Sequence, residues 1–247
     1  VVNPKLSSAK YVDPSRISVP AKAGTINPKD FMCPERRKVF DDLSKLVLPQ
    51  DQGPVLPKGC YMIAREKEQL FRKKLLKCGM AVLVRERDVP VDHRCRKLLS
   101  GVFCVDHKIE SDRLIFDRRP QNATELRLRW CDLPHGTCFT QFRLHADDEL
   151  QAHGDDISNY FYHLNLEHDF RARSSFGRVF SGRDAAELGG NPAERYHLMA
   201  TVWNMGDHNS VCVAQLTHIG ILSKHNAYCD SRAILYKRPL PRCKLLQ

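Results

Sequence analysis

The sequence lacks any run of about 18 apolar residues and any basic-then-apolar signal pattern at its start, "VVNPKLSSAK". Membrane spanning and secretion therefore have no support, and an intracellular location, cytoplasm or nucleus, is expected. The chain starts with Val1 and not Met, as a sequence numbered from inside a longer product would. Ten cysteines are present, yet no Cys-x-x-Cys pair occurs, so neither a zinc ribbon nor a redox motif is spelled out. Cys131, His135 and Cys138 form the one local cluster, with no fourth ligand placed by spacing; reduced thiols are the expectation. Asn122-Ala-Thr124 matches a glycosylation acceptor, idle without a secretory signal. No internal repeat is found. Acidic residues are in deficit, 29 against 39 Lys plus Arg, for a net charge of +10. A polyanionic partner such as nucleic acid suits that balance better than an acidic small substrate.

What is there reads as three parts. Residues 1–33, with Pro4, Pro14, Pro20 and Pro28, are expected to form an extended or draped arm with little burial of their own. Residues 34–63 hold a short amphipathic helix over 34–48, ended by Pro49, with Val39, Leu43, Leu46 and Val47 on one stripe, followed by a linker rich in Pro and Gly. Residues 64–247 form the remaining part, whose alternation of helices and strands points to an α/β or α+β domain. There "AREKEQLFRKKLLKCG" reads as a helix with Leu70, Phe71, Leu75 and Cys78 toward a core and Gly79 as its left-handed stop. "MAVLV" follows as a strand. "GVFCVDHK" and "DRLIFDRR" form a hairpin about "IES". "SGRDAAELGGNPAE" reads as a loop and "RYHLMATVWNMG" as a strand running into a turn. "NSVCVAQLTHIGILSKH" places Val211, Ala214 or Gln215, His218 and Leu222 at helical spacing. Between Arg65 and Lys97, eleven Lys or Arg face five Asp or Glu. This is mild support for contact with a phosphate backbone.

Three stretches carry possible chemistry. On the return strand of the hairpin, Arg113, Asp117, Arg119 and Asn122 keep an Arg-x-x-x-Asp-x-Arg-x-x-Asn register, and Lys108 stands across the turn from Arg113. Two cations at a hairpin tip can neutralise a triphosphate during transfer. In "GDDISNYFYHL", Asp155 and Asp156 precede an aromatic run, with Phe161 five residues after Asp156. Taken alone, Gly-Asp-Asp is ordinary turn chemistry and the aromatics ordinary core. In "WNMGDHNSVCVAQLTH", Gly206, Asn209 and Gln215 keep a Gly-x-x-Asn-x-x-x-x-x-Gln spacing.

In this order and at these intervals the three stretches, spanning roughly residues 64–220, resemble the reverse-transcriptase family of template-directed DNA polymerases, particularly those of retroelements. The resemblance implies the fingers and partial palm of a right-hand polymerase, and transfer of dNMP from dNTP to a primer 3′-hydroxyl opposite an RNA or DNA template. It implies Asp156 as catalytic Mg²⁺ ligand, with Asp155 in reserve, in a two-metal site. Lys108 and Arg113 would take the triphosphate, Phe161 would wall the sugar, and Gly206 with Gln215 would support the base pair and template. Asp117, Arg119 and Asn122 would be structural partners in the fingers.

The sequence departs from the family in four places. Asn204 stands for the usual proline and Val211 where another is common. "DDELQAHGD" replaces the apolar strand expected before Asp156, which leaves open whether Asp155 or Asp156 points inward. No Tyr-x-Asp-Asp hairpin occurs; "YCDS" at 228–231 starts 13 residues after Gln215 and has one acid. The chain is thus expected to stop before the second catalytic hairpin and to polymerise little or not at all alone. The alternative is a degenerate, non-catalytic basic module that binds nucleic acid. A coincidental match would scatter Asp156, Arg113, Phe161 and Gly206 over the fold.

Overall fold

The computed structural model describes residues 8–49, 55–133, 135–154, 156–236 and 238–241. Helices and strands alternate as α1 (Pro34–Phe40), α2 (Glu68–Lys77), β1 (Ala81–Arg85), β2 (Gly101–Lys108), β3 (Ser111–Asp117), α3 (Arg119–Asn122), α4 (Tyr160–His163), β4 (Ser175–Ser181), α5 (Gly182–Ala186), β5 (Arg195–Ala200) and α6 (Ser210–Lys224). β2 and β3 form an antiparallel hairpin, while β1, β5 and β4 form a separate three-stranded antiparallel sheet in that order.

The hairpin follows directly from its alternation. Val102, Cys104, Leu114 and Phe116 share one face and are all at most 1% exposed. Strand side chains point to opposite faces at period two, so one face is committed to the core. Against it pack Phe71 and Leu75 of α2 and Phe176 and Leu198 of the three-stranded sheet. A second core gathers Phe40, Leu43, Leu46, Trp203, Cys212, Val213 and Leu216. Each large apolar side chain so buried contributes roughly 1.5–3 kcal/mol.

Several expectations need correction. The helix read over 34–48 ends at Phe40. Asp42, at φ −153°, accepts from Ser44 N at 3.2 Å and starts a 3-10 turn, Leu43–Leu46. A side chain that caps a new turn breaks the old one, yet Leu43 and Leu46 still reach the core. In α2, Leu70 is 57% exposed, and Glu68 and Arg72 are buried beside Phe71 and Leu75. The charged pair survives burial because Glu68 binds both Arg72 and Arg178, and the Arg72 guanidinium lies 4.0 Å over the Phe180 ring. Gly79, at φ 79°, does end this helix, its N–H bonding Leu76 O at 3.1 Å. β4 and α5 were not foreseen: Gly177, at φ 81°, interrupts the alternation of Phe176 and Phe180 and shifts the register to β5, and Ser181 caps α5 within the expected loop. The buried face of α6 is Cys212, Val213, Leu216 and Thr217, while Val211 is exposed.

The arm from residue 8 onward runs along the fold, making bridges from Lys10 to Cys104, Ile17 to Asp112 and Ile26 to Leu164. Val12 and Ile17 are buried in the first core, so the segment gains more by burial than its composition implied. Backbone pairing with a preformed edge supplies what its side chains lack.

Candidate functional site

The outer edge of β3 organises the site. Tyr162, on α4, donates its hydroxyl to Leu114 O at 2.8 Å, and Phe116 N donates to Met205 O at 2.9 Å. Burial holds the Tyr162 phenol well above its ordinary range, so it remains a donor. Next along, Gly206 adopts φ 111°, and a Cβ there would run into the Phe116 carbonyl oxygen. Only glycine permits that approach. Asn122 secures the bend: its amide donates to Gly206 O at 2.8 Å and its side-chain oxygen accepts from His208 N at 3.3 Å.

Behind this bend, buried charges join the elements. Arg118, fully buried, donates to both carboxylate oxygens of Glu125 at 3.2 and 3.0 Å and to Ser174 Oγ at 2.7 Å, and its Nε lies 3.0 Å from Asp207. Arg173 also reaches Glu125, at 3.1 Å. The network thus ties the end of β3 to the segment before α6 and to the 3-10 helix His168–Ser174.

Between the hairpin tip, residues 156–162 and the Met205 turn lies a hollow of about 340 Å³. Lys108, Arg113, Asp156 and Phe161 all line it, drawn from separate stretches of chain. Gly206 does not line it; its neighbour Met205 does. Gln215 is half-buried on α6 and outside the hollow, one turn from His218, which lines it. Asp117 and Arg119 also lie outside it. They pair at 2.7 Å, and Asp117 accepts from Cys60 N at 2.6 Å. Burial by itself would raise the Asp117 carboxyl, but the Arg119 fork and the Cys60 N–H hold it below the usual carboxylate range. Asp155 falls outside the described residues.

Three lining residues had no sequence signal. His107 is turned toward Arg113 by an irregularity in register between Asp106 and Lys108, and Arg113 Nη2 donates to its Nδ1 at 3.1 Å. The histidine is held below its ordinary value by burial, then by Arg113 and Lys108, with Asp156 opposing them. Ser18 comes from the arm and His218 from α6, through tertiary packing alone. Tyr160 fixes the aromatic wall by donating to Ala214 O at 3.0 Å.

The electrostatics of the hollow favour an anion. Two cations and two histidines, His107 and His218, share the hollow with one described carboxylate, Asp156. Divalent Mg²⁺ takes octahedral oxygen coordination, generally with one or two carboxylates. Among the described residues no group of three or more His, Cys, Asp or Glu is placed to hold a metal ion. Beyond α6, Asp230–Arg232 is a single 3-10 turn, and among the described residues no strand follows β5. Cys131, His135 and Cys138 have separate partners: Cys131 Sγ is 3.5 Å from Cys212 Sγ, His135 binds Thr137, and Cys138 faces Leu235 O.

No family model and no curated protein matches the sequence. Among solved structures, the chain is similar to a foamy viral protease-reverse transcriptase dRH in complex with double-stranded DNA, with a TM-score of 0.43 and 15% sequence identity. The match covers 82% of this chain and 33% of that one. No helix among the described residues is long and apolar enough to cross a membrane.

Proposed function

We propose that the chain is the fingers and partial palm of a retroelement reverse transcriptase, and that the hollow under the hairpin takes the triphosphate of an incoming dNTP. The observation that carries this reading is the convergence of Lys108, Arg113, Asp156 and Phe161 on one cavity from two separate stretches, with the Gly206 bend against the same strand. Lys108 and Arg113 neutralise the phosphates, Phe161 limits the sugar, and the Met205–Gly206 turn supports the nascent pair opposite a template. The family's reaction, attack of a primer 3′-hydroxyl on the α-phosphate with release of pyrophosphate, calls for Mg²⁺. Asp156 is the one described carboxylate that lines the hollow, and no Tyr-x-Asp-Asp stretch occurs in the sequence, so little or no extension by this chain alone is the expected outcome.

The single described carboxylate at the hollow, with a net charge of +10, favours a second reading: a basic module that binds nucleic acid without catalysis. Binding to a labelled primer–template, with and without the next correct dNTP, separates the two. The polymerase reading expects the correct dNTP to slow dissociation several-fold, an incorrect one to have no effect, and Asp156→Asn to abolish any Mg²⁺-dependent extension. Salt-sensitive binding indifferent to dNTP would leave only the basic module.

A further inference from the structure

Lys108 and Arg113 flank the turn of a two-stranded hairpin, and both are exposed. Two strands by themselves order a tip poorly in water. What holds this tip is the arm. Lys10 Nζ lies 2.5 Å from Asp106 and 2.6 Å from Asp112. Arg16 Nε donates to Asp112 at 3.1 Å, and its Nη2 donates to the turn carbonyl of Ile109 at 2.9 Å. The backbone joins in, with Asp112 N donating to Arg16 O at 2.9 Å and Ser18 N to Asp112 O at 3.2 Å. Asp112 is only 2% exposed, so its two cations also satisfy a carboxylate that could not stay buried unpaired.

The arm is itself anchored. Lys74 of α2 donates to Pro14 O and Ile17 O at 2.7 and 2.9 Å, Lys67 pairs with Asp13, and Val12 and Ile17 are buried. Asp106, Ile109 and Asp112, which bracket Lys108 and precede Arg113, are therefore tied through the arm to α2. Past them, Ser18 Oγ donates to Asn159 Oδ1 at 3.1 Å, on the opposite side of the hollow. A cation held in place gives up less freedom on binding, and gains most where several phosphates must be met at once.

We infer that Lys10 and Arg16 are positioning residues that set Lys108 and Arg113 for a polyphosphate through Asp112, an inference that rests on the triphosphate reading of the hollow. Hydrogen exchange at 104–116, and affinity for a deoxynucleoside triphosphate and its monophosphate, test it in the full chain with Lys10→Ala, Arg16→Ala and Arg16→Lys. Arg16→Ala should raise exchange at the tip about tenfold or more with the rest unchanged. Triphosphate affinity should fall about tenfold and monophosphate affinity less than about twofold, with Arg16→Lys recovering part of the loss. Unchanged exchange, or equal losses for the two nucleotides, would overturn the inference while leaving the hollow's ligand intact. If the unaltered chain binds no triphosphate, the reading of the hollow fails, and the positioning role with it. Should Arg16→Ala unfold, Lys10→Ala, which leaves Asp112 still paired with Arg16, answers the same question.

Discussion

The two walls of the hollow are built differently. The cationic wall is a paired hairpin, with one face in the core, its outer edge bonded to Tyr162 and Met205, and its tip bound by the arm. The acidic wall is a segment that, from Phe142 to Asn159, has no helix or strand among the described residues and leaves Leu144, Leu150 and Ile157 largely exposed. On the proposed reading, phosphate recognition falls to the ordered wall. Carboxylate chemistry, which needs oxygen atoms placed to tenths of an ångström around a metal, would fall to the wall that is regular only from Tyr160 onward.

That contrast can be broken most severely at Gly206. Gly206→Ala adds a Cβ against the Phe116 carbonyl at φ 111°, and should cost about 3 kcal/mol or more in a urea melt, because neither backbone segment can give way. An alanine at Ile157 on the acidic wall, 44% exposed, should cost under about 1 kcal/mol in the same melt. Equal losses would show that the walls are equally ordered.

Arg118→Ala is next. It leaves Glu125 with Arg173 alone and Asp207 without its cation in a buried setting, and a loss of about 3 kcal/mol is expected in a denaturant titration. A value near zero would mean that solvent reaches the network.

A smaller effect, confined to binding, should follow Arg113→Ala. Triphosphate affinity should fall about tenfold or more, the worth of one charge-assisted contact, with melting unchanged since the side chain is exposed. The titration would sharpen the assignment of phosphate recognition to the hairpin wall.

The smallest effect expected is on pH. His107 is held below its ordinary value in the folded chain, so it stays neutral there at a pH where the unfolded chain already binds a proton. Its contribution to stability is present above the unfolded value near 6.5 and is lost as pH falls through the folded one. Protonation also adds a cation to the hollow, so triphosphate should bind a few-fold tighter at pH 5 than at pH 7.5, a difference that His107→Gln removes. Persistence in the variant would place the titrating group elsewhere.

Much of the ordered wall was legible beforehand, and for a local reason. The period-two pattern of Val102, Cys104, Leu114 and Phe116 commits one face, and Gly79 ends α2 with backbone freedom alone. Lys108, Arg113, Asp156 and Phe161 were named through the family resemblance of the stretches that hold them, and the structure places all four around one hollow. Other features were hidden. Leu70 gives way to a buried Glu68 and Arg72 because Arg178 and Phe180, more than a hundred residues later, supply the partners. β4 is masked by Gly177, and His107 reaches Arg113 through a register shift that no local pattern reports.

By itself the sequence determined which segments alternate, where α2 stops, and which few polar residues stand at telling intervals, since these depend on the geometry of adjacent residues. Tertiary structure alone decided that Arg118 would be buried among Glu125, Ser174 and Asp207, that the arm would grip Asp112, and that one described carboxylate would share the hollow with two cations and two histidines. Charge is tolerated or useful only beside its partners, and those partners come from distant parts of the chain.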